Sequence, residues 1–318
     1  MKISRHVIIG LPASGKTTYL AALWHLIEAG EATVDLELLR ATGDLTHLNE
    51  IAEAWRSFRP IERTSQTGDI DVSMQVRSRD GAEADLLFPD LAGESFDMEV
   101  EGRLVSAKYV GDHSGSDGIL LFISANQKID LALAKLNAMF GGEGEGEGEG
   151  DKAAPPVEEE NPAEDVGTAG AEDAPPDGAN ATETEDPVGE TGIEWAPNLT
   201  QHSVRIVQVL QDLLDHPFEH RPRRLAIIVS AWDLVTAPRP EPSAWLAETL
   251  PLVEQFLASN ADMFEARVYG VSAQGAPLDK KRPATFANLP ASERIIVQGH
   301  GAGPHDLTAP LTWLMTGD

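Results

Sequence analysis

Short apolar runs separated by helical patterns cover most of the chain and predict alternating strands and helices. Runs typical of buried strands occur at 7–9, 86–88, 119–123, 225–229 and 268–271. Apolar residues at helical spacing predict helices over 17–29, 46–58, 96–110, 127–140, 199–215, 244–258 (disturbed by Pro251) and 306–315. This alternation predicts an α/β fold with a mostly parallel sheet that helices cover on both faces.

One stretch has the period of a half-buried strand. Apolar and polar residues alternate over 70–77, and Asp80-Gly81 is typical of a hairpin turn. We therefore expect this strand to pair antiparallel with the strand that ends at Phe88. Additional strands are expected at 34–39 and, as an edge strand, at 295–297.

Composition sets residues 141–194 apart from the rest of the 318-residue chain. The net charge is −28, and this segment alone contains 18 acidic residues and one lysine. It has too little large apolar material to offset the entropy of ordering it, and its like charges repel one another. We expect a disordered acidic insertion inside one domain that spans 1–318. A cation-binding or partner-docking role for the segment is the alternative.

The composition also excludes several classes of function. An acidic chain repels phosphate backbones and anionic lipid headgroups, so we expect neither a nucleic-acid partner nor membrane insertion. Cysteine is absent, which excludes disulfides and thiolate chemistry. No apolar run approaches the roughly 20 residues that a spanning helix needs, and the first residues lack a signal-peptide pattern. These features predict a cytoplasmic protein.

Residues 10–17 read Gly-Leu-Pro-Ala-Ser-Gly-Lys-Thr and match the phosphate-loop pattern G-x-x-x-x-G-K-[ST] between a predicted strand and a predicted helix. Glycines let the backbone turn its N–H groups toward phosphate oxygens, and the helix N-terminus adds positive charge. Lys16 would reach the β- and γ-phosphates, and the Thr17 hydroxyl would coordinate Mg²⁺. The nucleotide-binding residues expected here are Gly10, Pro12, Ala13, Ser14, Gly15, Lys16, Thr17 and Thr18.

Polar segments also follow three later strands. Asp90 and Gly93 form a D-x-x-G pattern, where Asp90 would hold Mg²⁺ through a water and the Gly93 N–H would contact the γ-phosphate. Ser230-Ala231-Trp232-Asp233 follows the strand at 225–229, and Ser272-Ala273-Gln274 follows the last buried strand. Taken in order, these segments resemble the five sequence boxes of a Ras-like GTPase of the TRAFAC class.

The resemblance implies a three-layer P-loop NTPase fold, with one antiparallel hairpin strand before Asp90, and GTP or GDP bound with Mg²⁺. In that family the N-K-x-D aspartate accepts from the guanine edge, and a serine-alanine box contacts the base oxygen. These roles fall to Asp233 and to Ser272 with Ala273. Ser230-Ala231 replaces the asparagine-lysine pair, so Asp233 favours GTP while ATP stays an alternative. Trp232 would either cover the base or pack in the core.

More narrowly, the chain resembles the bacterial double-GTPase family of predicted conflict or defence systems. This likeness implies action with a second GTPase and with effector proteins. It depends on Leu11-Pro12 in the phosphate loop, the helix from Thr18 to His25, an added helix before Arg63-Thr64, Asp90 to Glu94, and the closing segment from Gly299-His300 to Trp313.

The remaining catalytic candidates follow the added helix and the D-x-x-G segment. A GTPase needs a threonine over the γ-phosphate and Mg²⁺, and Thr64 and Thr67 both qualify, with Thr64 preferred on the resemblance. Glu94 occupies the position of the water-positioning glutamine, where a carboxylate orients water or acts as a base. Arg63 or Arg59 could stabilise charge at the reacting phosphate, although either also suits an ordinary surface ion pair.

The sequence thus predicts a P-loop GTPase domain that acts as a Mg²⁺-dependent GTP-binding switch with slow hydrolysis. Catalysis would consist of positioning and charge stabilisation around an in-line attack by water. A P-loop kinase acting on a small acceptor is one alternative, and its lid would draw on Arg221, Arg223 and Arg224. A nucleotide-binding scaffold without turnover is the other.

Overall fold

The computed structural model describes residues 3–30, 35–61, 72–88, 107–126, 200–278 and 283–318. The chain divides into one unit of residues 1–132 with 196–318 and a second of 133–195, and every described residue belongs to the first unit. The predicted insertion at 141–194 and the predicted helix at 127–140 lie outside the described residues, as does most of the predicted helix at 96–110. The single-domain assignment stays a prediction.

The described strands form one mixed sheet. They are β1 (Ser4–Gly10), β2 (Leu36–Gly43), β3 (Val72–Ser78), β4 (Glu83–Phe88), β5 (Gly118–Ser124), β6 (Arg223–Ser230), β7 (Phe264–Ser272) and β8 (Ile296–Gln298). Across the sheet the order is β2-β3-β4-β1-β5-β6-β7-β8. The five strands from β4 to β7 are mutually parallel, which confirms the predicted α/β class with a mostly parallel sheet.

The predicted hairpin joins β3 to β4. Val72 pairs opposite Phe88, and Gly81 turns the chain with a φ of 84° while its N–H donates to the Ser78 carbonyl at 2.9 Å. Both additional strands are confirmed. β2 pairs antiparallel with β3 at one edge, and β8 pairs antiparallel with β7 at the other.

Seven helices accompany these strands in the described part of the chain. They are α1 (Lys16–Ala29), α2 (Leu45–Arg56), α3 (Ala107–Ser114), α4 (His202–Asp212), α5 (Pro242–Thr249), α6 (Pro251–Ser259) and α7 (Ala309–Thr316). The predicted helix at 244–258 is therefore two helices. The chain leaves helical geometry at Leu250, where φ is −130°, because a proline disfavours helical backbone in the residue before it.

Apolar side chains fill a core on each face of the sheet. Successive strand residues point to opposite faces, so Ile8 belongs to the core that includes α1, α2 and α7, and Ile9 to the core that includes α4, α5 and α6. The three layers agree with a P-loop NTPase fold. None of the described helices combines the length and the apolar character that crossing a bilayer requires.

Candidate nucleotide-binding site

The loop between β1 and α1 curls tightly. Ala13 and Gly15 have φ angles of 59° and 94°, which reverse the local turn of the backbone. A Cβ on Gly10 would lie 2.7 Å from the Ser14 hydroxyl, and a Cβ on Gly15 would lie 2.9 Å from the Ser230 hydroxyl. Both positions therefore require glycine, and the loop has the compact form that cradles phosphate.

Two polar side chains of this loop are buried. Lys16 is 3% exposed, and its Nζ donates to the carbonyls of Gly10 at 2.5 Å and Leu11 at 3.3 Å. The Ser14 hydroxyl is also buried and has no hydrogen-bond partner among the described residues. A phosphate oxygen would accept from both groups, so the loop residues fit a nucleotide phosphate.

Ser230 supports the loop from the end of β6. Its hydroxyl donates to the Ser14 carbonyl at 2.7 Å, and its own carbonyl accepts from the Ala125 N–H at 2.9 Å. β5 and β6 are parallel neighbours of one another, and β1 lies beside β5. The serine that replaces the expected asparagine therefore contacts the phosphate loop and joins two strand ends to it.

One pocket of about 250 Å³ connects the phosphate loop to the ends of β6 and β7. Asp233, half-buried on the turn Trp232–Leu234, lies in its wall with Ser272 and Ala273. The other lining residues include Ala13, Gly15, Thr18, Tyr19, Ser124, Asn126, Gln274 and Leu278. The structure thus places the predicted base-binding residues in one pocket with the phosphate loop.

Ser124 and Asn126, at the end of β5, were missed by the sequence reasoning. The Asn126 N–H donates to the Ser124 hydroxyl at 3.2 Å, which turns the chain at the pocket wall. Their position in the sequence could have identified them, because polar residues directly after a buried parallel strand lie at the carboxyl edge of the sheet, where ligands bind.

Trp232 packs in the core and does not cover the pocket. Its ring is fully buried, and Nε1 donates to the Gln298 side-chain oxygen at 2.9 Å. The indole lies against Gly270, where a Cβ would approach the ring to 2.3 Å. The packing alternative for this residue is therefore the one observed.

The three clustered arginines lie at the opposite end of the sheet. Arg221 pairs with Asp117 at 3.3 Å, while Arg223 donates to the Leu213 carbonyl at 3.1 Å and Arg224 to the Leu314 carbonyl at 3.0 Å. β6 begins at Arg223, whereas the pocket lies at its other end. These arginines stabilise the amino end of the sheet and do not form a lid over the site.

Several predicted catalytic residues lie outside the described residues: Arg63, Thr64, Thr67, Asp90, Gly93 and Glu94. Arg59 is described and is exposed just after α2. Within the described ranges, no group of three or more histidine, aspartate or glutamate residues could hold a metal ion. Thr17, half-buried at the start of α1, offers the hydroxyl oxygen that a hard cation such as Mg²⁺ prefers.

A parallel sheet whose first strand runs through a phosphate loop into a helix defines a P-loop nucleotide-binding protein. Comparison with protein families gives the same class more narrowly. The model of the family described as Double-GTPase 1 matches residues 7–314, and the chain belongs to that family. Membership supports binding of GTP. Comparison with curated proteins gives no match.

Proposed function

We propose that this chain is a Mg²⁺-dependent switch protein that binds GTP and hydrolyses it slowly. The observation that carries the proposal is the single pocket shared by the phosphate loop, Asp233 and the segment after β7. A nucleotide needs a site for phosphate and a site for a base at a fixed separation, and this pocket has groups suited to each.

The phosphate end uses groups that are already buried and oriented. Lys16 and the backbone of the loop supply positive charge and N–H donors, and the N-terminus of α1 begins at this point. Lys16 now donates to the loop carbonyls of Gly10 and Leu11. A phosphate would replace these neutral acceptors with charged ones, which form stronger hydrogen bonds.

The base end of the pocket has groups complementary to guanine. Guanine presents an acceptor oxygen beside two N–H donors, whereas adenine presents an amino donor beside an acceptor nitrogen. Asp233 and Ala273 both line this end of the pocket, where the Asp233 carboxylate would accept hydrogen bonds and backbone N–H groups near Ala273 would donate them. This pairing supports GTP over ATP in a pocket where Ser230 points to the phosphate loop.

Family membership and candidate residues in two segments of the sequence, 63–64 and 90–94, support the proposal of hydrolysis. Mg²⁺, when bound, would neutralise charge on the phosphates. Thr17 would hold it, joined by Thr64 and by Asp90 through a water. Gly93 would contact the γ-phosphate, Glu94 would orient the attacking water, and Arg63 would stabilise charge as the phosphate leaves.

Partner proteins complete the proposal. The family name, Double-GTPase 1, supports a function that involves a second GTPase. We propose that the chain acts with such a subunit and with effector proteins in a bacterial conflict or defence system, as a cytoplasmic protein.

Calorimetric titration tests the binding part of the proposal. GTP, GDP and ATP are titrated into the full chain with Mg²⁺ and again with a chelator. We expect GTP and GDP to bind at least tenfold more tightly than ATP, with GTP weakened by the chelator. Equal binding of ATP would overturn the guanine assignment.

Single-turnover kinetics tests the catalytic part. Excess protein is mixed with γ-labelled GTP, with and without small phosphate acceptors, and the products are separated. Inorganic phosphate released at a slow first-order rate supports a GTPase. Label transferred to an acceptor would indicate a kinase, and intact GTP after many hours would indicate a scaffold that needs a partner or has no turnover.

A further inference from the structure

The added helix α2 contacts the segment that follows β7. The Trp55 indole is fully buried, and its Nε1 donates to the Ala273 carbonyl at 2.9 Å. Ala273 lines the pocket, while Trp55 lies in the core beneath it. In return, the Gln274 side-chain amide donates to the Trp55 carbonyl at 3.5 Å. The end of α2 and the base end of the pocket thus each donate a hydrogen bond to the other.

Arg294 holds Trp55 in place. Its guanidinium lies 4.5 Å from the centre of the indole ring and donates to the carbonyls of Trp55 and, at 3.2 Å, Arg56. These are carbonyls of the last turn of α2, where a cation is favourable because the helix dipole is negative there. Arg294 is only 4% exposed, so its contacts with α2 are made in a setting that strengthens them.

The backbone of Arg294 also lies against the segment from Ser272 to Gly275, which follows β7. Gly275 has a φ of 81°, and a Cβ there would lie 2.1 Å from the Arg294 carbonyl oxygen. The Gly275 N–H donates to the Ser272 hydroxyl at 2.9 Å. The segment from Ser272 to Gly275 is therefore bound by the Ser272 hydroxyl and by the Trp55 indole, and the Arg294 backbone lies against its last residue.

The hydrogen bond from Trp55 fixes an orientation as well as a position. A peptide unit is planar and trans, so the carbonyl of Ala273 and the N–H of Gln274 point in opposite directions. When the indole holds the carbonyl, the Gln274 N–H is directed away from Trp55. Ala273 and Gln274 both line the pocket, so this donor is available to a base that carries an acceptor there.

We propose that Trp55 and Arg294 are positioning residues for base recognition, which aim the Gln274 N–H at the base oxygen of guanine. The inference rests on the proposed function, because it assumes that guanine occupies the pocket. It adds that part of the base selectivity is set by an added helix and by an arginine that both lie outside the pocket wall.

The test compares two nucleotides that differ at one atom. 6-Thio-GTP keeps both N–H donors of guanine but replaces the acceptor oxygen with sulfur, a weak acceptor. Affinities for GTP and 6-thio-GTP are measured by calorimetry for the wild type and for Trp55→Phe, which keeps an aromatic ring and loses the indole N–H. We expect GTP to weaken about five- to tenfold and 6-thio-GTP less than twofold, because one hydrogen bond is misaligned.

Trp24→Phe is the matched control. Trp24 lies on α1, and its Nε1 donates to the Asn49 side-chain oxygen on α2 at 2.9 Å. The control therefore loses an equivalent indole hydrogen bond in the same layer without touching Ala273. We expect it to lower thermal stability about as much as Trp55→Phe and to leave the ratio of the two affinities unchanged.

Three outcomes would overturn the inference. A wild type that binds both nucleotides equally has no contact at the base oxygen to position. A Trp55→Phe variant that weakens both nucleotides equally shows a merely structural role, and one that leaves both affinities at their wild-type values shows no role. If Trp55→Phe does not fold, Arg294→Lys decides the matter, since lysine keeps the charge but cannot hold two carbonyls and stack at once. Binding of ATP as tight as GTP would instead refute the proposed function.

Discussion

At the scale of residues, the phosphate loop is held in shape by contacts that need no ligand. Lys16 is buried against two carbonyls of its own loop, and Ser230 holds the Ser14 carbonyl from another strand. Because this lysine is buried, we expect the energy of phosphate binding to come from exchanging the neutral carbonyl acceptors of Lys16 for charged phosphate oxygens.

Lys16→Ala should therefore abolish most nucleotide binding while the protein stays folded. We expect Mg·GTP affinity to fall at least about a hundredfold, roughly 2.7 kcal/mol, with a melting temperature close to that of the wild type. Calorimetry and thermal denaturation measure the two quantities. Lys108→Ala, at an exposed position on α3, is the control and should change neither. Unchanged Mg·GTP affinity in Lys16→Ala would count decisively against this site.

Asp233→Asn should exchange one base preference for another. In the proposed site the carboxylate would accept two hydrogen bonds from the guanine edge, whereas an amide would offer a donor to xanthine, which has an oxygen in place of the amino group. We expect GTP to weaken at least tenfold and xanthosine triphosphate to improve, measured by competition binding. Asp262→Asn, exposed at the far end of the sheet, should alter neither affinity. Loss of both nucleotides to the same extent would show that Asp233 is structural.

At the scale of elements, α2 is the last described helix before the predicted switch threonine, Thr64, in the sequence. The helix ends at Arg56, and Arg59 follows it as an exposed side chain. An arginine that reaches the reacting phosphate is worth about 10³–10⁵ in rate. Arg63 is nearer to Thr64 in the sequence. Because adjacent side chains of an extended chain point in opposite directions, Arg59 is also a candidate for this arginine.

Arg63→Ala or Arg59→Ala should lower single-turnover hydrolysis at least tenfold, about 1.4 kcal/mol, with little change in GTP affinity. The rates are measured with excess protein over labelled GTP. Arg79→Ala, at the exposed β3–β4 turn, removes a similar charge far from the pocket and should hydrolyse GTP normally. If both arginine variants also react at the wild-type rate, neither arginine acts in catalysis, and any arginine at the reacting phosphate would have to come from a partner protein.

A glycine in β7 makes room for the tryptophan beside Asp233. Gly270→Ala would place a methyl group 2.3 Å from the buried Trp232 ring, so we expect the free energy of unfolding to fall by about 2 kcal/mol. Urea denaturation measures this change. Gly111→Ala on α3, where no atom lies within 4 Å of the new methyl, should instead raise stability by up to about 1 kcal/mol. Equal stability of the two variants would show that the core yields around Trp232.

Local patterns account for the parts of the fold and the site that the sequence predicted. The phosphate loop, the hairpin at Asp80-Gly81 and both added strands follow from spacing within a few residues. The sequence predicted a helix disturbed by Pro251 but not two separate helices, because Pro251 both ends one helix and begins the next. The contact between Trp55 and Ala273 spans 218 residues, and no local pattern encodes it. The roles of Thr64, Asp90 and Glu94 stay predictions.

At the scale of the whole molecule, most of the net negative charge comes from one segment of the sequence. Residues 141–194 contribute most of the excess of acidic residues that gives the net charge of −28. The buried residues that form the described core on each face of the sheet come from other parts of the chain. Because the segment has little large apolar material to bury, we predict that it adds nothing to the stability of the fold.

Deleting residues 141–194 should therefore leave the melting temperature within a few degrees of the wild type and GTP affinity within twofold. Differential scanning calorimetry and nucleotide titration measure the two. Replacing the segment with a neutral glycine-serine linker of equal length controls for the length of the connection. A large fall in the melting temperature of both variants would show that the segment is structural.

The contact between Trp55 and Ala273 also has a consequence for how the chain is made. Synthesis proceeds at about 5–20 residues per second, so the 218 residues between the two partners take roughly 10–40 s to emerge. Throughout that time α2 presents the ring of Trp55 without the arginine that stacks on it or the carbonyl that it binds. The Trp55 ring therefore cannot reach its native contacts until Ala273 and Arg294 have been synthesised. GTP can stabilise the fold only after the last strands of the sheet have been translated.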